Sequence, residues 1–190
     1  MPLTTLDPNT ALIVIDLQKG IVSGNFIHPI GEIIDRTRTL IDVFRARNLP
    51  VALVNVAGRA PGRTEQGPRS STAFSEGWTE LLPQLDQRPS DIVVTKRSWG
   101  AFATTDLERQ LKAQGVTQVV VTGVVTSGGV EATARQAYEQ GFNVTLATDA
   151  MTDIRAEANE YSIRNVFPRL GETASTEGII SLLERRSSAL

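Results

Sequence analysis

A parallel β-sheet covered by helices on both faces is the fold class predicted for this chain, and three observations predict it. Short β-branched runs alternate with amphipathic segments from one end to the other, the order expected of an α/β domain. The runs are continuously apolar rather than alternating, which suggests strands buried on both faces. The chain's 190 residues suit a single domain with a substantial core that needs neither metal nor disulfide.

The expected strands are Ala11–Ile15, Val51–Val56, Ile92–Thr95, Gln118–Thr122, Asn143–Ala147 and a weaker one at Glu172–Ala174. A helix from Ile30 to Asn48 is read from apolar residues at Ile33, Ile34, Leu40, Ile41, Val43 and Phe44, and Pro50 closes it. Thr105-Asp106-Leu107-Glu108 has the form of a capping box and predicts a helix ending near Gly115. Val130–Gln140 is bounded by Gly141, and Ile154–Val166 opens after Asp153 and stops before Pro168. Ser175 or Thr176 opens a last helix through Leu183. Residues 1–185 form one domain in this reading, and 186–190 form a flexible tail. The stretch 57–77, rich in Gly, Pro, Ser and Arg, is too long for a plain connection and is a candidate lid.

Composition narrows the function classes. A net charge of −2 gives no broad basis for binding nucleic acid. The start, Met1 to Asp7, lacks the basic flank and apolar run of a secretory signal, and no stretch is long enough to span a bilayer, so a cytoplasmic location and no membrane partner are expected. The chain has no cysteine and one histidine, His28, which argues against disulfides, thiolate metal sites and zinc. No cofactor and no metal are expected.

Three places can carry chemistry. Asp16 follows the apolar run Ala11–Ile15, where a carboxylate at a buried strand's end has its pKa open to perturbation; a helix cap or turn role is the plainer alternative. Lys96 ends Ile92-Val93-Val94-Thr95, and an ammonium there can hold Asp16 ionised or stabilise charge in a reaction, although surface lysines at strand ends are common. The third is the turn Val124 to Gly129, where Thr126-Ser127-Gly128-Gly129 leads from a strand into a helix. Such a turn points several amides at one spot, as an oxyanion or anion cradle or simply as a capped helix start. Thr126 and Ser127 lack a histidine base, which weighs against a serine-type nucleophile. Trp99 and Phe102 are read as a pocket wall or as core. Arg59, Arg63 and Arg69 are candidate carboxylate or phosphate contacts, or solvated loop residues. Asp149 and Asp153 are read as turn and cap residues.

Ala11-Leu12-Ile13-Val14-Ile15-Asp16-Leu17-Gln18, Thr95-Lys96 through Ala101-Phe102, and Thr122 through Arg135 together resemble the isochorismatase-like hydrolase superfamily, with similarity continuing through Ala137–Val144 and Thr148-Asp149-Ala150. The resemblance implies a three-layer, Rossmann-like α/β/α domain with a six-stranded, mostly parallel sheet, assembled as a homodimer or homotetramer. It implies a site built on Asp16 and Lys96, with Gly129 where cysteine-bearing members carry their nucleophile. A cis peptide would join Val124 to Val125, and the amides of Val125 and Gly129 would form the oxyanion hole. With no side chain at Gly129, a covalent thioester is excluded. True isochorismatases also lack the cysteine there and cleave a vinyl ether by acid catalysis, yet they carry an aromatic residue where this chain has Val125. The expected function is hydrolysis of a small metabolite by Asp16 and Lys96 without a cysteine, with vinyl-ether cleavage as one form of it. The alternative is an inactive amidase relative that binds a small molecule or a partner. Lys96 also poses a difficulty for acid catalysis, because its charge should lower the pKa of Asp16.

Overall fold

A computed structural model describes residues 3–65 and 74–187. Six strands form one all-parallel sheet in the order β3-β2-β1-β4-β5-β6. They are β1 (Thr10–Ile15), β2 (Val51–Val56), β3 (Ile92–Lys96), β4 (Gln118–Val124), β5 (Asn143–Thr152) and β6 (Glu172–Ala174). The helices are α1 (Lys19–Val22), α2 (Ile30–Ala46), α3 (Leu107–Ala113), α4 (Glu131–Glu139), α5 (Ala156–Tyr161) and α6 (Thr176–Ser187).

Two apolar layers sandwich the sheet. Ala11, Ile13 and Ile15 of β1 join Leu107 and Leu111 of α3 and Ala134 and Ala137 of α4 in one cluster. Leu12 and Val14 turn the other way, toward Leu40 and Phe44 of α2 and Ile179 and Leu183 of α6. Every residue of β1 and β4 is therefore buried, which accounts for the apolar runs Ala11–Ile15 and Val119–Val121; the polar Thr10, Gln118 and Thr122 are buried with them.

The edge strand departs from that expectation. In β3 only Ile92, Val94 and Lys96 are buried, and Val93 is 41 % exposed, because no described helix covers its second face. The strand β5 outruns its expected end at Ala147 by five residues. Val121 pairs with Leu146 but Gly123 with Met151, so an irregularity inserts residues into β5. The displaced Asp149 accepts hydrogen bonds from the amide (2.7 Å) and hydroxyl (2.9 Å) of Thr176 and so caps α6.

The helix ends differ in detail. The hydroxyl of Thr105 accepts from the Leu107 amide at 3.1 Å, but Glu108 pairs with Lys112 rather than closing a capping box. The segment expected as one helix from Ile154 is α5, a wider π turn at Ser162–Val166 and a 3-10 turn at Phe167–Arg169. The helix α6 reaches Ser187, so the expected tail at 186–190 begins inside it, and 188–190 lie outside the described residues. Two short elements carried no sequence signal: α1 and a 3-10 turn at Pro83–Leu85. No described helix is long and apolar enough to cross a membrane.

Candidate active site

An all-parallel sheet delivers the carboxyl ends of all its strands to one edge, and the strand order reverses direction between β1 and β4, where ligands of open α/β sheets bind. Four strands end there with a group of interest: β1 in Asp16, β3 in Lys96, β4 in the turn after Val124, and β5 in Asp153. They line one cleft of about 520 Å³.

The structure brings Asp16 and Lys96 together. Lys96 Nζ lies 2.8 Å from Asp16 Oδ2, with side chains 2 % and 8 % exposed, and also donates to the Ser98 carbonyl at 3.2 Å. Asp16 Oδ1 is buried and has no hydrogen-bond partner among the described residues, so one carboxylate oxygen is committed to the ammonium and the other is not. Burial pushes the Asp16 carboxyl up to about 6, and the charge and hydrogen bond of Lys96 pull against that rise without overcoming it. Desolvation therefore outweighs the lysine. Asp16 itself adopts φ 53°, a left-handed conformation uncommon outside glycine, which turns the chain out of β1; its carbonyl accepts from the Gln18 amide at 2.8 Å.

Gly129 faces this pair. A Cβ built on it would stand 3.0 Å from Asp16 Oδ2 and 2.9 Å from Ile15 Cγ2, so the carboxylate abuts the position a side chain would take. The peptide between Val124 and Val125 is cis. Several amides of the turn are spent on the fold: Gly128 and Val130 donate to the Val125 carbonyl at 3.1 and 3.2 Å, and Ser127 donates to Asp153 Oδ2 at 2.7 Å. The cradle is thus narrower than the sequence suggested.

The other candidates divide. Trp99, Ser127 and Arg59 line the cleft. Phe102 lies in the core against Phe142, with ring centroids 5.9 Å apart, because its segment is held on α4: the Ala101 amide donates to Thr133 Oγ1 at 3.1 Å and the Phe102 amide to Gln136 Oε1 at 3.0 Å. Thr126 is fully buried behind the turn, and Arg63 is exposed away from the cleft. Arg69 lies outside the described residues, as does the centre of the expected lid at 66–73, whereas Gly58, Phe74 and Trp78 on its flanks line the cleft. His28 is remote in role: its Nδ1 meets Thr152 Oγ1 at 3.0 Å.

Two supporting residues escaped the sequence reading. Asp153 does more than cap: Oδ2 accepts from the amide and hydroxyl of Ser127, both at 2.7 Å, while Oδ1 accepts from the amides of Ile154 (2.8 Å) and Arg155 (3.2 Å). It ties the turn after β4 to the end of β5. Gln18, fully buried, donates to the carbonyls of Val56 and Trp78 at 3.1 Å and accepts from the Val56 amide at 2.6 Å, joining the end of β1 to that of β2. A buried amide two residues after Asp16 was the available signal, but nothing in the text marks it as buried.

Comparison with known proteins decides the family. The isochorismatase domain matches residues 10–178. The chain belongs to the isochorismatase family. It is 38% identical over 174 residues to the isochorismatase family protein YwoC of Bacillus subtilis, covering 88% of this chain and 90% of that one. It is 30% identical over 171 residues to Nicotinamidase 3 of Arabidopsis thaliana, covering 84% and 83%. The structure of an isochorismatase family protein from Burkholderia thailandensis superposes with a TM-score of 0.89 at 38% identity, over 95% of this chain and 98% of that one. This family of α/β hydrolases shares the six-stranded parallel sheet described above.

Proposed function

We propose that this family member hydrolyses a small metabolite through Asp16 and Lys96, with no side-chain nucleophile. The observation that carries the proposal is the buried pair itself: a carboxyl held near pKa 6 with one oxygen on Lys96 and the other uncommitted, beside a glycine. A pKa near the working pH suits general acid catalysis, and it answers the difficulty that the lysine raises.

Vinyl-ether cleavage fits these groups. Neutral Asp16 passes its proton to the terminal carbon of the enol ether, leaving a carboxylate that Lys96 stabilises and an oxocarbenium ion on the substrate. Water adds to the cationic carbon, its released proton returns to Asp16, and the hemiketal breaks its C–O bond to give an alcohol and a carbonyl compound. No step calls for a cofactor. The amides of Val125 and Gly129 are the donors assigned to the negative charge that develops on the leaving oxygen as the hemiketal breaks. On the resemblance, the working unit is a homodimer or homotetramer.

A panel of vinyl ethers and small amides tests this. Turnover of a vinyl ether that falls at least 100-fold in Asp16→Asn is expected, the scale of a lost general acid; full activity in that variant ends the proposal.

One observation favours a second reading. The carboxylate lies against the position of an absent side chain at Gly129, the arrangement expected of an amidase relative that has lost a cysteine and retains only binding. Gly129→Cys separates the two. An amidase activity that appears only in this variant supports the decayed amidase, and no gain supports a site working without a thiol. The added Cβ would stand 2.9 Å from Ile15 Cγ2 and 3.0 Å from Asp16 Oδ2, so both side chains must give by a few tenths of an ångström to admit the thiol.

A further inference from the structure

On the wall of the cleft, the hydroxyl of Ser127 has the direction of its hydrogen fixed. Asp153, buried beside it, accepts four hydrogen bonds: Oδ1 from the amides of Ile154 and Arg155, and Oδ2 from the amide and the hydroxyl of Ser127, both at 2.7 Å. The hydroxyl hydrogen therefore points at Asp153, and no described residue donates to the lone pairs of Ser127 Oγ. A hydroxyl polarised by a carboxylate is a stronger acceptor than one bound to a neutral group. The neighbouring hydroxyls differ: Thr126 Oγ1 is buried behind the turn, and Ser98, also on the wall, donates to the neutral Gly100 carbonyl at 3.1 Å. Ser127 is half-buried and shares the cleft with Asp16, on the same turn as Gly129, which presents no side chain there.

Two acceptors are what an attacking water needs. Once Asp16 has given its proton to the substrate, its Oδ1 is an acceptor with no partner among the described residues. A water that donates one hydrogen to Asp16 Oδ1 and the other to Ser127 Oγ has both hydrogens held, so a lone pair faces away from the acceptors, toward the oxocarbenium carbon.

We propose that Ser127 is the second acceptor that orients the attacking water, its own hydrogen being held by Asp153. The proposal rests on the hydrolase reading and adds a residue to it. As the water oxygen bonds to the cationic carbon, the water's proton passes to Asp16 Oδ1 and restores the acid, while Ser127 keeps its own proton.

Methanol tests this, because it has one hydroxyl hydrogen and can satisfy only one of the two acceptors. Capture of the oxocarbenium ion by water ends in the alcohol and the carbonyl compound; capture by methanol gives a mixed ketal. The vinyl ether turned over fastest in the panel is run in dilute methanol with the natural protein and with Ser127→Ala, and the products are counted by NMR. The natural protein is expected to form less ketal than the uncatalysed acid reaction in the same solvent. Ser127→Ala keeps the backbone bond to Asp153 and loses only the hydroxyl. It is expected to lower kcat about tenfold, the scale of one net hydrogen bond, with KM unchanged, and to raise the ketal fraction to that of the uncatalysed reaction. The fraction is counted per turnover, so it does not depend on how much of the variant is folded. An unchanged rate, an unchanged fraction or a complete loss of turnover in Ser127→Ala overturns the proposal and leaves the hydrolase reading standing, as does a natural protein that already forms the ketal in the uncatalysed proportion. No turnover of any vinyl ether by the natural protein removes both.

Discussion

At the scale of single residues, the decisive property is the proton on Asp16. Its carboxyl is driven upward by burial and restrained by Lys96, reaching about 6. A general acid works only while protonated, so kcat/KM for vinyl-ether cleavage is expected to be level below about pH 5 and to fall as pH rises through about 6. A pH–rate profile checks it, and a rate that rises through 6 would make Asp16 a general base instead. The Asp16–Lys96 pairing was half legible in the text, since each ends an apolar run and parallel strands share an edge. Asp153 was not, because two of its four bonds reach Ser127, 26 residues away, and a carboxylate before a helix reads first as a cap. For Phe102 the sequence leaves both a pocket wall and the core open, because an aromatic after the Lys96 strand end fits either. Contact with Phe142 decides for the core.

At the scale of elements, the site depends on how closely β1 and β4 approach at their carboxyl ends. Gly123 makes that approach possible. It has φ +110°, and a Cβ there would stand 2.1 Å from the Ile15 carbonyl oxygen, in the strand that ends in Asp16. Gly123→Ala must move one backbone against the other in a conformation that L residues rarely adopt, so it is expected to cost more than about 2 kcal/mol. Urea unfolding measures this; a loss under 0.5 kcal/mol would show the strands free to separate. The same junction explains why β5 was read short. The irregularity opposite Gly123 pushes Asp149 out of the sheet to cap α6, and a polar stretch such as Thr148-Asp149 in the text looks like a loop, not like a strand continuing past its insertion. The bounds expected for β1 and β4 lie within two residues of those observed because both faces are buried and each strand carries a run of consecutive apolar residues, Ala11–Ile15 and Val119–Val121. At β3 the same inference failed, since an edge strand has one uncovered face.

At the scale of the molecule, the buried pair makes stability depend on pH. The folded protein binds the Asp16 proton more tightly than the unfolded chain does, with pKa about 6 against 3.8. Between those values the native state holds more protons, so its contribution to stability is full below about pH 4 and is lost as pH rises through about 6. The loss amounts to about 3 kcal/mol at one pKa unit per 1.36 kcal/mol. The difference in unfolding free energy between the natural protein and Asp16→Asn is expected to shift toward the variant by that order between pH 4 and pH 7. A difference independent of pH would mean that Asp16 titrates normally.

The sequence by itself determined the layered α/β architecture, the order of its main elements and the absence of a thiol, because these follow from local pattern and residue identity. Only the tertiary structure decided the rest: which carboxylate meets which ammonium, that the amides of Ser127, Gly128 and Val130 are already spent, that Arg59 flanks the cleft while Arg63 does not, and that burial outweighs the lysine at Asp16. Those are matters of distance and desolvation between residues far apart in the chain, and no local pattern encodes them.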